Sequence, residues 1–128
     1  MIERMKESAG PVLGFRASGV LTDADYRDVL IPALEKAINE YGKIRCLVCF
    51  GEDFRGWEAL ALWDDAVFGM SHRSDFSRLA VVGAPEWLDW AVRMSAWMMD
   101  GEVRTFPRED LATAWDWLRE GITATAGK

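Results

Sequence analysis

The sequence predicts a single α/β domain built on a mostly parallel sheet. Two observations carry this. Short apolar runs alternate with amphipathic stretches through most of the chain, in the order β-β-α-β-α-β-α-β-α. The run Ile44 to Phe50 (IRCLVCF) is almost wholly apolar after Arg45, the pattern of a strand covered on both faces. The 128 residues fit one domain, expected to span 1–128.

The elements follow in order. Ile2 to Lys6 reads as a short edge strand, expected to be antiparallel, and Val12 to Ser18 alternates as a second strand. Thr22 is a good N-cap, with Asp23 and Asp25 where a helix dipole favours acids. The helix it opens runs to about Tyr41, with Tyr26, Leu30, Leu34 and Ile38 on one stripe and Gly42 as its stop. Pro32 inside that helix removes a hydrogen bond and clashes with the preceding turn, so a kink or an irregular first half is expected. After the central strand and a Gly51–Gly56 loop, a second helix covers Trp57 to Met70. Leu79 to Val82 is another buried strand. Pro85 opens a third helix to about Met99, and Glu102 to Phe106 is the last strand. Pro107 opens a final helix to about Glu120, with Leu111, Ala114, Trp115 and Leu118 as its apolar stripe. Residues 121–128 read as a frayed tail.

Composition excludes several classes. Half the residues are apolar and 28% are charged, the balance of a globular domain. A net charge of −6 disfavours nucleic acid, whose phosphates need a basic face. The longest stretch without Lys, Arg, Asp or Glu is Ser8 to Phe15, far short of the roughly 20 apolar residues a membrane span requires. The start, Met1-Ile2-Glu3-Arg4, lacks the basic-then-apolar pattern of a signal peptide, and two cysteines make no disulfide framework, so a reducing cytoplasm is the expected compartment.

Tests for catalysis and metal binding return little. Cys46 and Cys49 have the C-x-x-C spacing, but within a strand residues three apart point to opposite faces, so the sulfurs should not meet. Zinc would need further ligands, and the chain has one His; no metal and no cofactor is expected. Ser71, His72 and Asp75 lack the geometry of a triad, because adjacent Ser and His rarely align. His72 reads first as a helix C-terminal cation or a hydrogen-bonding residue. Asp64 and Asp65 leave their helix in different directions. Asp64 lies on the Trp57-Ala61-Phe68 side, where a half-buried acid would have a raised pKa, although capping or ion pairing is the plainer role. The loop Gly51-Glu52-Asp53-Phe54-Arg55-Gly56 is no P-loop, but it follows a strand at the end where open α/β sheets hold ligands. Arg55 there could hold an anion; the ordinary alternative is a turn with Phe54 packed down.

Seven Trp and six Met are many for this length. The second helix has two apolar stripes: Leu60, Trp63, Val67 and Met70, and Trp57, Ala61 and Phe68. The third carries Trp87, Trp90, Ala91, Met94, Trp97 and Met98. A helix resting on a sheet needs one stripe, so the surplus serves a larger core, a subunit interface or a pocket for an apolar ligand.

These residues also carry a resemblance. The run Gly19-Val20-Leu21-Thr22, then Asp25-Tyr26, Pro32 and Tyr41-Gly42-Lys43-Ile44-Arg45, resembles the SpoIIAA-like family of small bacterial proteins. So do Phe54-Arg55-Gly56-Trp57, Trp63, Asp65, Phe68-Gly69, His72, Phe76, Arg78 to Gly83, Trp87, Phe106 and Ala114 to Leu118. The resemblance implies a layered (βα) superhelical fold like that of STAS and lipid-binding CRAL-TRIO domains. STAS anti-sigma-factor antagonists bind a kinase and are switched by phosphorylation of a serine in an Asp-Ser-Ser-Gly-like loop before the second helix. The corresponding Gly51–Gly56 has no Ser or Thr, which argues against such a switch here.

The function expected is a non-enzymatic binding or regulatory domain that forms a homodimer through Trp90, Met94, Trp97 and Met98 and takes a protein partner. The alternative is a carrier or sensor of a small lipophilic ligand lined by Trp57, Trp63, Phe68 and Trp87, with Arg55, Asp64 and His72 as candidate polar contacts. An enzyme using those polar groups or Asp65 comes third.

Overall fold

The chain alternates strand and helix because each parallel pair of strands needs a crossover. A computed structural model describes residues 1–72, 74–88 and 101–121. Five strands form one sheet in the order β1-β2-β4-β6-β7: β1 (Ile2–Arg4), β2 (Val12–Ala17), β4 (Ile44–Phe50), β6 (Phe76–Val82) and β7 (Glu102–Phe106). Only β1 is antiparallel, pairing Ile2 with Ala17; the other three pairings are parallel. The apolar run Ile44–Phe50 takes the centre, as expected of a strand covered on both faces. Two further strands of two residues each, β3 (Val20–Leu21) and β5 (Gly56–Trp57), pair in parallel as a small separate sheet.

The major sheet is wound in chain order, so the right-handed crossovers from β2 to β4 and from β4 to β6 pass over the same face. That face holds the larger core, with Leu13, Phe15 and Ala17 from β2, Cys46 and Phe50 from β4, and Val81 from β6. The helices supply Tyr26, Leu30, Leu34, Ala61 and Leu88. The crossover to β4 contains a π-helical turn, Asp25–Leu30, followed by α1 (Ile31–Tyr41). Pro32 therefore sits in the first turn of α1 rather than in a helix interior, where its missing N–H costs little. Ahead of the turn, Asp25 N–H donates to Thr22 Oγ1 (3.1 Å) and Thr22 N–H donates to Asp25 Oδ2 (2.9 Å), a reciprocal cap. Helix α2 (Ala59–Ser71) crosses to β6; residues 86–88, behind Pro85, are helical, and Leu88 is buried.

The opposite face is covered by α3 (Leu111–Arg119), which enters through a 3-10 turn at Arg108–Asp110. Ala114, Trp115, Trp117 and Leu118 pack there on Leu47, Cys49, Ala80 and Val82. Gly14 makes room for Trp115: a Cβ on it would stand 2.5 Å from the indole Cζ2. Strand arginines hold the helix's C-terminal end, whose last carbonyls have no intrahelical donors. Arg45 Nη1 donates to Leu118 O (2.9 Å) and Arg78 Nη1 to Trp117 O (2.6 Å), with Arg78 stacked over the Trp117 ring. Cys46 and Cys49 fall in different cores, as strand parity requires. Both are free and buried, and burial pushes the Cys46 thiol up to about 12.

Among the described residues, no helix is long and apolar enough to cross a membrane. The expected interface residues Trp90, Met94, Trp97 and Met98, and all of the expected tail except Gly121, lie outside the described residues.

Candidate functional site

The carboxyl end of β4 and the approach to α2 bring two of the candidate residues, Trp57 and Trp87, together. Beyond Phe50 the chain turns through Gly51–Arg55, with Phe54 N–H donating to Gly51 O. Phe54 folds inward, 4.6 Å from Phe50 between ring centroids. That is the ordinary-turn reading of this loop, and Arg55 points to solvent. Arg108 fastens the strand end from across the sheet, donating from Nε and Nη2 to Phe50 O (3.2 and 3.1 Å). Trp57 lies edge-on to Phe54 at 5.0 Å, and Trp87 stacks 6.2 Å from Phe54. Phe54, Trp57 and Trp87 thus form one aromatic cluster, with Trp87 still 57% exposed. Phe68 lies further along α2, against Phe76 and the His72 ring, while Trp63 is turned outward. The four aromatics expected to line one pocket are therefore divided.

A polar relay runs beside the cluster. The π-helical turn directs Tyr26 inward to 3% exposure, where its hydroxyl accepts from Trp57 Nε1–H (2.8 Å) and donates to Asp65 Oδ1 (3.0 Å). Burial and the nearby Asp65 charge raise the Tyr26 pKa. Asp65 is open to solvent, yet enough protein surrounds it that desolvation raises its pKa, against the Tyr26 hydrogen bond, which lowers it.

Asp64 faces a different neighbour. Its carboxyl meets that of Asp23, and the hydrogen bond between them raises Asp64 and lowers Asp23. Asp23 Oδ2 is also held by Arg27 Nε at 2.6 Å. The raised Asp64 expected from burial thus owes its shift first to a second carboxyl, and the acid that joins the inward side of α2 is Asp65. His72 caps the end of α2, with Nδ1 2.9 Å from Asp75 Oδ2 and Nε2 3.8 Å from Glu35 Oε2. Among the described residues no group of His, Cys, Asp and Glu could hold a metal ion. On the opposite face an open groove of about 290 Å³ runs between β1 and α3, lined by Glu3, Arg4, Lys6, Glu7, Arg16 and Leu111 among others; its charges are mixed and it holds no aromatic ring.

The outward side of α2 is apolar. Leu60, Trp63 and Val67 follow one another at spacings of three and four and are 63%, 67% and 46% exposed. The inward stripe is Ala61 and Phe68, which pack on the larger core. Of the two stripes legible in the sequence, one builds the core, and these three residues of the other face solvent.

This arrangement can be set beside known proteins. The SpoIIAA-like family model matches residues 12–119. The chain belongs to the SpoIIAA-like family. It is also similar to the crystal structure of an uncharacterized protein of the DUF3478 family, with a SpoIIAA-like fold, from Shewanella loihica PV-4. The two are 35% identical, with a TM-score of 0.72 over 91% of this chain and 93% of that one. No curated protein matches. The SpoIIAA-like frame accounts for the β4–α2 corner, and the relay and the exposed ridge stand upon it. Sequence reasoning missed the relay because Tyr26, Trp57 and Asp65 are distant along the chain and Tyr26 reads as a member of an apolar stripe. The available signal was the position of Asp65, four residues after buried Ala61 and so on the same helix side.

Proposed function

We propose that this SpoIIAA-like chain is a non-enzymatic binding module whose contact surface is the outward ridge of α2. The carrying observation is that Leu60, Trp63 and Val67 are exposed on successive turns of one helix face, where a surface helix ordinarily carries polar side chains. An apolar ridge on a rigid helix is a common means of docking another protein segment. The Gly51–Gly56 loop has no hydroxyl residue, so a regulatory role would turn on association and not on phosphorylation of that loop. The test is the double variant Leu60→Ser/Trp63→Ser. Binding of an apolar dye and retention on a phenyl column should fall while the urea midpoint stays put, because exposed positions contribute within about 0.5 kcal/mol. A loss above about 2 kcal/mol would make the ridge part of the core and end this reading.

One observation favours a second reading, the carriage of a small lipophilic ligand. The Phe54, Trp57 and Trp87 cluster stands beside the solvent-open Asp65, an apolar wall with one polar contact. A saturable change in tryptophan fluorescence with a fatty acid or fatty amine, lost in Trp87→Ala, would support it; no response to either would remove it.

A further inference from the structure

We infer that the partner of the α2 ridge is a basic amphipathic helix; this rests on the reading of α2 as a contact surface. The argument is one of charge around an apolar strip. From Gly51 to Asp75 the chain carries six carboxylates against two arginines, while α2 itself contains Asp64 and Asp65 and no Lys or Arg. Glu52, Asp53 and Glu58 are exposed just ahead of α2 and half-buried Asp64 lies beside the ridge on the helix itself, so the ridge is flanked by acids at its start and along one side. Arg27, a cation whose charge reaches Asp64, is already bound to Asp23, and the Asp23 and Asp64 carboxyls crowd each other. Arg55 is exposed on the loop before the helix and leaves the carboxylates in excess.

Each alternative occupant meets that charge unfavourably. A second copy docking ridge on ridge would bring the same acidic segment against itself and desolvate like charges together. An anionic membrane surface would be repelled for the same reason. A helix with apolar residues at i, i+3 or i+4, and i+7 matches the two turns from Leu60 to Val67, about 10 Å along the axis. Lys or Arg on its flanks would meet Glu58 and Asp64.

The test uses the full chain and two synthetic peptides of about 18 residues with the same leucine stripe, one filled in with lysine and one with glutamate. Calorimetric titration should show micromolar binding of the lysine peptide and none of its glutamate twin. The dissociation constant should rise about tenfold between 0.1 and 1 M NaCl, as the Debye length falls from about 10 to about 3 Å. Leu60→Ser/Trp63→Ser should weaken binding by about tenfold or more, and Asp64→Asn by a smaller factor. If both peptides bind equally and both need Trp63, the ridge stands as a contact surface and the charge inference fails. Lysine-peptide binding that survives loss of Leu60 and Trp63 would be diffuse electrostatic attraction and would overturn the inference. If neither peptide binds and sedimentation shows a dimer that Trp63→Ser dissociates, the occupant is a second copy. If neither binds and the ridge variants change nothing, the contact-surface reading falls as well.

Discussion

Replacing Tyr26 with Phe removes one oxygen and leaves the ring where it is, so the effect should come from two hydrogen bonds. That oxygen accepts from Trp57 Nε1–H at 2.8 Å and donates to Asp65 Oδ1 at 3.0 Å. A neutral hydrogen bond contributes about 1 kcal/mol and one to a charged group about 1.5–3 kcal/mol. The variant should therefore lose about 1–2 kcal/mol when Asp65 is protonated and about 3 kcal/mol when it is ionised. Both are affordable within the roughly 5–15 kcal/mol of a domain this size. The sign with pH follows from linkage. The Asp65 pKa is raised in the folded chain, so between its ordinary value and its folded value the native state holds more protons than the unfolded state. Its contribution to stability is thus full below the ordinary value and is lost as pH rises through the folded one. Taking away the Tyr26 donor raises that folded value further, so the variant's extra loss builds up as pH rises from the wild-type folded value to the variant's own. Urea unfolding followed by circular dichroism from pH 3.5 to 8 should show the gap between wild type and Tyr26→Phe widening with pH. In an Asp65→Asn background the same gap should be flat. A gap in the wild-type background that is constant, or that closes as pH rises, would refute the relay.

Two further perturbations test the frame that holds the site. Gly14→Ala places a methyl against the benzo edge of Trp115 and should cost about 1–3 kcal/mol. Trp115→Phe removes the colliding atoms, so urea unfolding of the double variant should show the two costs falling short of additive by about 1 kcal/mol or more. Cys46 and Cys49 should resist iodoacetamide at pH 8 for as long as the chain is folded, because both are buried with raised pKa values, and mass spectrometry after denaturation should then show both alkylated. Rapid labelling of the native chain would contradict the assignment of the two sulfurs to separate cores.

How far the sequence could be read depended on the length of each signal. The central strand and the final helix were legible because an apolar run or stripe extends through seven or more residues in each, and the opposed cysteines followed from the strand. The β3–β5 pair was not, since two residues carry no period. The π-helical turn lay behind a visible cue: Pro32 announced an irregularity without saying that the turn before it would absorb it. Trp117 escaped the stripe assigned to the last helix, because it is buried by Arg78 and Phe106 at the sheet's far edge. The ridge on α2 was visible as a second apolar stripe, but only the packing of Ala61 and Phe68 decided which stripe faced inward. The relay depends on side chains that converge through the π-helical turn, a geometry no local pattern announces.

The winding of the sheet has a consequence for how the chain matures. The crossovers from β2 to β4 and from β4 to β6 lie on one face, and the other face is covered by a helix that follows the last strand. Trp115 must find Gly14 roughly a hundred residues earlier in the chain. While synthesis proceeds, Leu47, Cys49, Ala80 and Val82 lack the cover of Ala114, Trp115, Trp117 and Leu118 until residues beyond Phe106 have emerged. A chain halted in β7 would present a bare apolar sheet, the kind of surface that chaperones hold and that aggregates when they do not. Docking of α3, with Arg45 and Arg78 on its final carbonyls, is thus the step that turns a nascent half-covered sheet into a finished molecule.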